Sequence, residues 1–368
     1  MKRLMTILIM IIMVSSFYLS ACSSGSPAVT ENISTENTRH MPTTINLPAE
    51  SSENSTAESA ASETAESEPA ETEPAPEPVP PGAHPLFAKK IPIAVMINNK
   101  PVARPQSGLG QAKLIYQMMT EARTTRLLMF TDVDSGVLGP VRSARPAYLD
   151  LVTQYKALYT YAGNGKVISD SPVDGLIRRI DALGAAGRLF YRMSHRKAPH
   201  NLYIKAESIY NFAGKQAPVN LSNPLPGFSI RNGFELPEGG VKAKRINYQF
   251  THSESFRYNE KTKKYAKYNG DTCLVDEQTR KAVEAGNVFL IYMPHGKMPN
   301  GVHNRINWVG SGRALYFTGG MKYEVTWSKA SHAAPMYFTL NGDRLVLNPG
   351  LTWVVVLDQQ ANNTVTIS

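Results

Sequence analysis

The sequence predicts an α/β domain with a largely parallel sheet, followed by a smaller antiparallel β-rich domain. Three observations carry that expectation. Between residues 91 and 214, compact apolar runs alternate with segments of helical spacing, the pattern of crossover units. Residues 217–240 are rich in Pro, Gly and Asn, as a domain junction should be. From residue 241 onward, strand-like runs come in pairs joined by turn residues. With 368 residues the chain is long enough for two cores, placed over 86–216 and 241–368.

The elements follow in order. Residues 91–97 (Ile-Pro-Ile-Ala-Val-Met-Ile) form an apolar run suited to a buried strand. After a loop holding Pro101, Pro105 and Gly108, residues 112–122 read as a helix, with Leu114, Ile115, Met118 and Met119 on one face. Strands are expected at 126–133, 157–162 and 189–193, and helices at 145–155, 172–183 and 206–214. In such folds ligands gather beyond the carboxyl ends of the strands. In the second domain, runs at 256–259 and 265–269 flank Glu260-Lys261-Thr262-Lys263, and 288–293 is a lone apolar run. Runs at 313–318 and 323–327 flank a Gly-Gly turn, and 336–340 and 344–347 flank Asn341-Gly342-Asp343, a hairpin signal. Residues 351–357 close the set, and no repeat period is evident.

Ahead of both domains lie two segments of different character. Lys2 and Arg3 precede an apolar stretch, 4–19, that is short for a membrane span. It ends in Leu19-Ser20-Ala21-Cys22, which looks like the lipobox at which bacterial lipoproteins are cut and acylated on the cysteine. Residues 1–22 are therefore expected to be a lipoprotein signal peptide, with lipidated Cys22 as the membrane anchor. Residues 23–85 hold Ser, Thr, Glu, Pro and Ala with no aromatic side chain, which predicts a disordered tether. Such a chain spans roughly 45 Å on average. Cys273 is the remaining cysteine, so no intrachain disulfide is available once Cys22 is acylated. Its Asp-Thr-Cys-Leu context suits a small buried side chain.

Charge divides the chain. Residues 1–85 carry 3 basic and 11 acidic residues, and the remainder carries 36 and 19, a net of +17 behind an acidic linker. On the outer face of the cytoplasmic membrane that excess points to anionic partners: wall polymer, peptidoglycan carboxylates or lipid headgroups. Nucleic acid, the usual partner of a basic domain, does not suit that compartment. The plainer alternative is solubility and contact with the acidic tether.

Three loops concentrate the chemistry. The first, 98–108, carries Arg104. The second, Gly139-Pro140-Val141-Arg142-Ser143-Ala144-Arg145-Pro146, places two arginines where a strand leads into a helix. If Ser143 caps that helix, Pro146 falls in its first turn, and N–H groups and guanidinium forks together suit a phosphate or carboxylate. The alternative is a salt-bridged corner closed by Glu121, Asp132 or Asp150. Glu121 and Arg126 read as scaffold. The third loop, 194–203, holds His195, Arg196 and His200, where either histidine suits a general base or an oxyanion donor. No metal is called for there, because a spacing of five is unspecific and no third ligand is near. No cofactor motif is present, and a Ser-His-Asp triad drawn from Ser143 or Ser194 lacks the nucleophile-elbow pattern. His295 and His303 lie in a polar loop, and Trp308, Trp327 and Trp353 read as core or rim aromatics.

These segments, in this order, resemble the YerB-like family of bacterial lipoproteins, a domain of unknown function. The resemblance rests on Ile93-Ala94-Val95-Met96-Ile97-Asn98-Asn99, Ala103-Arg104-Pro105-Gln106-Ser107-Gly108-Leu109, Thr125-Arg126, the 139–146 motif, and Ala198-Pro199-His200-Asn201-Leu202-Tyr203. In the β part it rests on Asn287-Val288, the Trp308 and Trp327 regions and Asn348-Pro349-Gly350-Leu351-Thr352-Trp353. The family pattern has Glu-Gly where this chain has Glu121-Ala122. The resemblance implies a lipid-anchored surface protein and supplies no reaction. From the residues, the leading expectation is an envelope protein that binds an anionic component through Arg104, Arg142, Ser143, Arg145 and Arg196. The alternatives are an envelope hydrolase or transferase using His195 or His200 as acid-base, and an interaction scaffold with an envelope protein partner in wall synthesis or sporulation.

Overall fold

The computed structural model describes residues 79–121, 124–359 and 364–368. The signal segment, Cys22 and nearly all of the tether lie outside the described residues. Among the described residues no helix is long and apolar enough to cross a membrane.

Strands dominate, and the sheet is mixed, which overturns the expectation of an α/β domain with a largely parallel sheet. The principal strands are β1 (Ile93–Asn98), β2 (Leu114–Met119), β3 (Thr125–Thr131), β4 (Leu158–Tyr161) and β5 (Arg178–Asp181). They continue as β6 (Arg245–Gln249), β7 (Ser253–Asn259), β8 (Lys264–Asn269), β9 (Glu284–Met293), β10 (Gly310–Thr318), β11 (Met321–Lys329) and β12 (Leu351–Asp358). Hydrogen-bonded neighbours run β6-β7-β8-β9-β12-β2-β3-β1-β4-β5. β10 takes over from β8 along the same edge of β9 and pairs onward to β11. Only β9/β12, β12/β2, β1/β4 and β4/β5 are parallel among these pairs. Strands from both sides of the 217–240 segment thus share one sheet.

Both faces of the central strands are covered. Along β1, Ala94 and Met96 face one core with Leu128, Phe130, Tyr116 and Val354. Ile93, Val95 and Ile97 face the other with Leu127, Met129, Ile115 and Val355. Burial on two sides explains why these strands read as continuous apolar runs without alternation. It also explains the largest error at the sequence level. Residues 114–119 are buried at every position, so Leu114, Ile115, Met118 and Met119 match a helical face and a two-sided strand equally well. The flanking β12 and β3 decide the matter by offering a ladder on each edge.

Two more expected helices shrink. Residues 145–155 form a 3-10 turn, Pro146–Tyr148, and a five-residue helix, Leu149–Thr153. Residues 172–183 give a turn at Asp174–Leu176 and then β5, which pairs with β4 and overrides the weak local helical spacing. Ala206–Gly214 is helical, burying Ala206, Ile209, Tyr210 and Ala213 on one face, with Arg178 bonded to its terminal carbonyls.

The 139–146 segment has a definite seat. β1 and β4 pair from Ile93/Leu158 to Val95/Thr160 and then diverge. Between their carboxyl ends the segment runs extended: Arg142 N–H donates to Met96 O at 2.8 Å, and Ala162 N–H donates to Arg142 O at 2.9 Å. On its outer side Val141 N–H donates to Leu202 O at 2.7 Å, and Ser107 and Gly139 exchange backbone bonds of 2.8 and 3.2 Å. Gly139 has φ +150°, and a Cβ there would stand 2.7 Å from the Tyr203 ring. The three motif loops are therefore stacked side by side.

Candidate functional site

Arg145 caps the 3-10 turn with its backbone, and no side chain, Ser143 included, closes that end. A turn followed by five helical residues supplies little dipole, so any anion preference here must come from side chains. Glu121 sits among them. Arg145 grips it with both nitrogens of its fork, Nε to Oε2 at 2.5 Å and Nη2 to Oε1. Arg126 reaches the same Oε1 at 3.2 Å while donating to Ser143 O. Arg126 and Arg145 are 7% and 12% exposed at the side chain, so neither charge is free in solvent.

Arg142 lies beside this group, half-buried. Among the described residues no carboxylate stands within ion-pair distance of it, and Arg145 and Glu121 are its charged neighbours. Burial and the Arg145 charge pull its guanidinium below the usual range. Burial and then Arg145 and Arg142 bring Arg126 down to about 10. Burial alone would raise the Glu121 carboxyl, but the Arg145 bonds and the Arg126 charge outweigh it and hold Glu121 near 2. Three guanidiniums thus crowd one carboxylate.

The crowding continues along the surface in both directions. His200 is bonded to Asn98 at 2.8 Å, and burial, Arg142 and Lys100 lower its proton affinity. His303, held by Asn300 at 2.9 Å, is lowered by burial and by Arg145. Beyond Lys100, Arg104 lines a small pocket of about 90 Å³ with Asn99, His252 and Glu254. Its Nε donates to Asn99 Oδ1 at 3.2 Å. Arg104, Lys100, His200, Arg142, Arg145 and His303 form a basic band interrupted by Glu121 and, beside Arg104, by buried Glu254.

Arg196 and His195 belong to a different corner. Both meet Glu277 Oε1, at 3.0 and 2.9 Å, and Ser107 Oγ donates to its other oxygen at 2.6 Å. Arg196 also donates to Pro105 O at 2.6 Å and to the Tyr203 hydroxyl. Buried Asn201 holds the loop by donating to Met193 O and Arg196 O. Glu277 is the functional-looking residue that sequence reading missed. Asp276 ties its turn to the first loop by accepting Gly108 N–H at 2.8 Å and Gly110 N–H at 3.0 Å. An acidic pair in a turn, within a basic region, is the one local signal that marks it.

Of the other candidates, His295 Nδ1–H donates to Met293 O at 2.9 Å with Asp358 3.8 Å away, and Trp308 donates to Ala147 O in the core. Asp132 pairs with Lys113 and Asp150 with His332, so neither closes the arginine corner. Among the described residues no cluster of three metal-ligating side chains occurs.

Residues 82–219 match the family described as protein of unknown function (DUF3048), N-terminal domain, and residues 245–354 match its C-terminal domain. A protein of Bacillus subtilis (strain 168) named "Putative lipoprotein YerB" is 26% identical over 271 residues, 72% of this chain and 81% of that one. The crystal structure of YerB protein from Bacillus subtilis shares the fold, with a TM-score of 0.65 at 24% identity, covering 77% of this chain and 99% of that chain.

Proposed function

The chain belongs to this YerB-like family of domains of unknown function, and on that premise we propose that it is a lipid-anchored envelope protein whose basic band binds an anionic wall polymer or lipid headgroup. The lipoprotein relative supports membrane association, and Cys22 is the residue we assign as its anchor. The tether would then hold the folded part on the outer side of the membrane. The observation that carries the binding role is Arg142. It is half-buried, lacks a carboxylate of its own among the described residues, and is pressed among Arg145, Arg126 and Lys100-flanked His200. Like charges held this close raise the free energy of the empty band, and an anion relieves it. Arg104 extends the grip to a second position, which suits a partner with repeating charge.

The histidine acid-base reading has less behind it. His195 is committed to Glu277, and the bond recorded for His200 goes to Asn98 rather than to a hydroxyl or thiol nucleophile. Titration of the mature chain with purified wall polymer, polyphosphate and anionic vesicles tests the binding role. Arg142→Ala together with Arg104→Ala should weaken at least one of these at least tenfold. Unchanged affinity for all three defeats the reading.

A further inference from the structure

We propose that the groove between the Leu149–Thr153 helix and the segment following β11 is a second binding site, one that takes a phosphate-headed lipid. It is independent of the basic band. The groove holds about 1020 Å³, enough for a sizeable ligand. Its floor is aliphatic, with Ile91, Leu225, Val309, Ala334 and Pro335, and Leu176 stands at the rim with 54% of its surface exposed. The walls are built rather than accidental. Thr153 Oγ1 donates to His332 O at 3.0 Å, and Met336 N–H donates to the buried Gln154 at 3.3 Å. Gln154 in turn donates to Tyr116 OH at 3.2 Å, anchoring the wall to the sheet.

Charge selects the occupant. Lys156, Arg178 and Lys329 line the groove, and no aspartate or glutamate does; Lys329 is buried and donates to His332 O and Ala334 O. Lys156 is exposed at the helix end, and the Arg178 guanidinium is spent on the carbonyls of Ala213, Ala217 and Pro218, which leaves its charge without a carboxylate. An aliphatic trough lined by three cations and no acid suits a chain that is apolar along its length and doubly negative at one end. A neutral amphiphile gains only the first of these, and inorganic phosphate only the second.

The test is calorimetry with the mature chain carrying Cys22→Ser, so that no acyl group of its own competes. Dodecyl phosphate should bind below its micelle threshold, dodecyl maltoside at least tenfold more weakly, and inorganic phosphate not measurably. Lys156→Glu and Leu176→Glu, both at exposed positions, should each weaken dodecyl phosphate at least tenfold while the thermal midpoint stays in place. Arg142→Ala should leave this binding unchanged, which separates the groove from the band. Equal binding of the maltoside and the phosphate overturns the proposal, as does absence of dodecyl phosphate binding. Insensitivity to both glutamate substitutions overturns it too.

Discussion

Two arginine corners stand side by side in this protein, built from the same kinds of residue, and they balance charge differently. At Glu277, one guanidinium and one histidine meet one carboxylate, and Ser107 takes the second oxygen. At Glu121, two guanidiniums grip one carboxylate and a third, Arg142, presses on them with no carboxylate within ion-pair distance among the described residues. The first corner is closed: it ties the third loop to the first and to the turn at Asp276. The second is left positive. Motif arginines therefore do not announce whether they hold a fold or a ligand; the ratio of cations to carboxylates around them does.

The largest effect should come from opening the closed corner. Glu277→Gln strips Arg196, 10% exposed, of its carboxylate and should cost about 3 kcal/mol, read from the urea midpoint. Next is Glu121→Gln, expected to lower stability by about 2 kcal/mol and to raise polyanion affinity, because it leaves three cations uncompensated. If affinity falls instead, Glu121 is part of the binding surface and the contrast between corners is lost. The same residue sets an acid limb. Its folded value near 2 lies below the ordinary 4.5, so its contribution is complete above pH 4.5 and is lost as pH falls toward 2. Unfolding titrations should show that limb in the native chain and a shallower one in Glu121→Gln. Arg142→Ala should change stability by less than about 1 kcal/mol while weakening polyanions about tenfold. The smallest effect belongs to His195→Ala, whose ring is 48% exposed, and the denaturation midpoint should shift by under about 0.5 kcal/mol.

How much of this was legible in the sequence depends on what each residue reports. Turn residues reported well: Asn341-Gly342 and the Gly319-Gly320 pair sit between paired strands, β10 and β11 in the second case, though Asp343 already belongs to the returning strand. Two-sided burial reported poorly. Residues 114–119 carry no alternation, so local spacing could not separate helix from strand, and the error spread to the fold class. The sequence predicts the arginine corner after the 126–133 strand, at the carboxyl edge of a parallel sheet; that strand is antiparallel to β1, and the corner lies instead where β1 and β4 diverge. The expected helix cap by Ser143 is absent, and the corner is extended backbone. Glu121 pairs with Arg145 across 24 residues and Glu277 with Arg196 across a much longer stretch. Glu121 is one of three carboxylates that the sequence offers for the corner, while Glu277 is not among them; such partners are fixed by the sheet and no spacing singles them out.

β12 follows all the other principal strands in sequence yet occupies the middle of the sheet, with β9 along one edge and β2 along the other. Neither core face can be completed until Leu351–Asp358 has emerged, because Leu114 waits for Thr352. Until then the edges of β2 and β9 that β12 will cover stay unpaired and open to the wrong neighbour. A chain cut before Leu351 would be not a smaller protein but one without a centre.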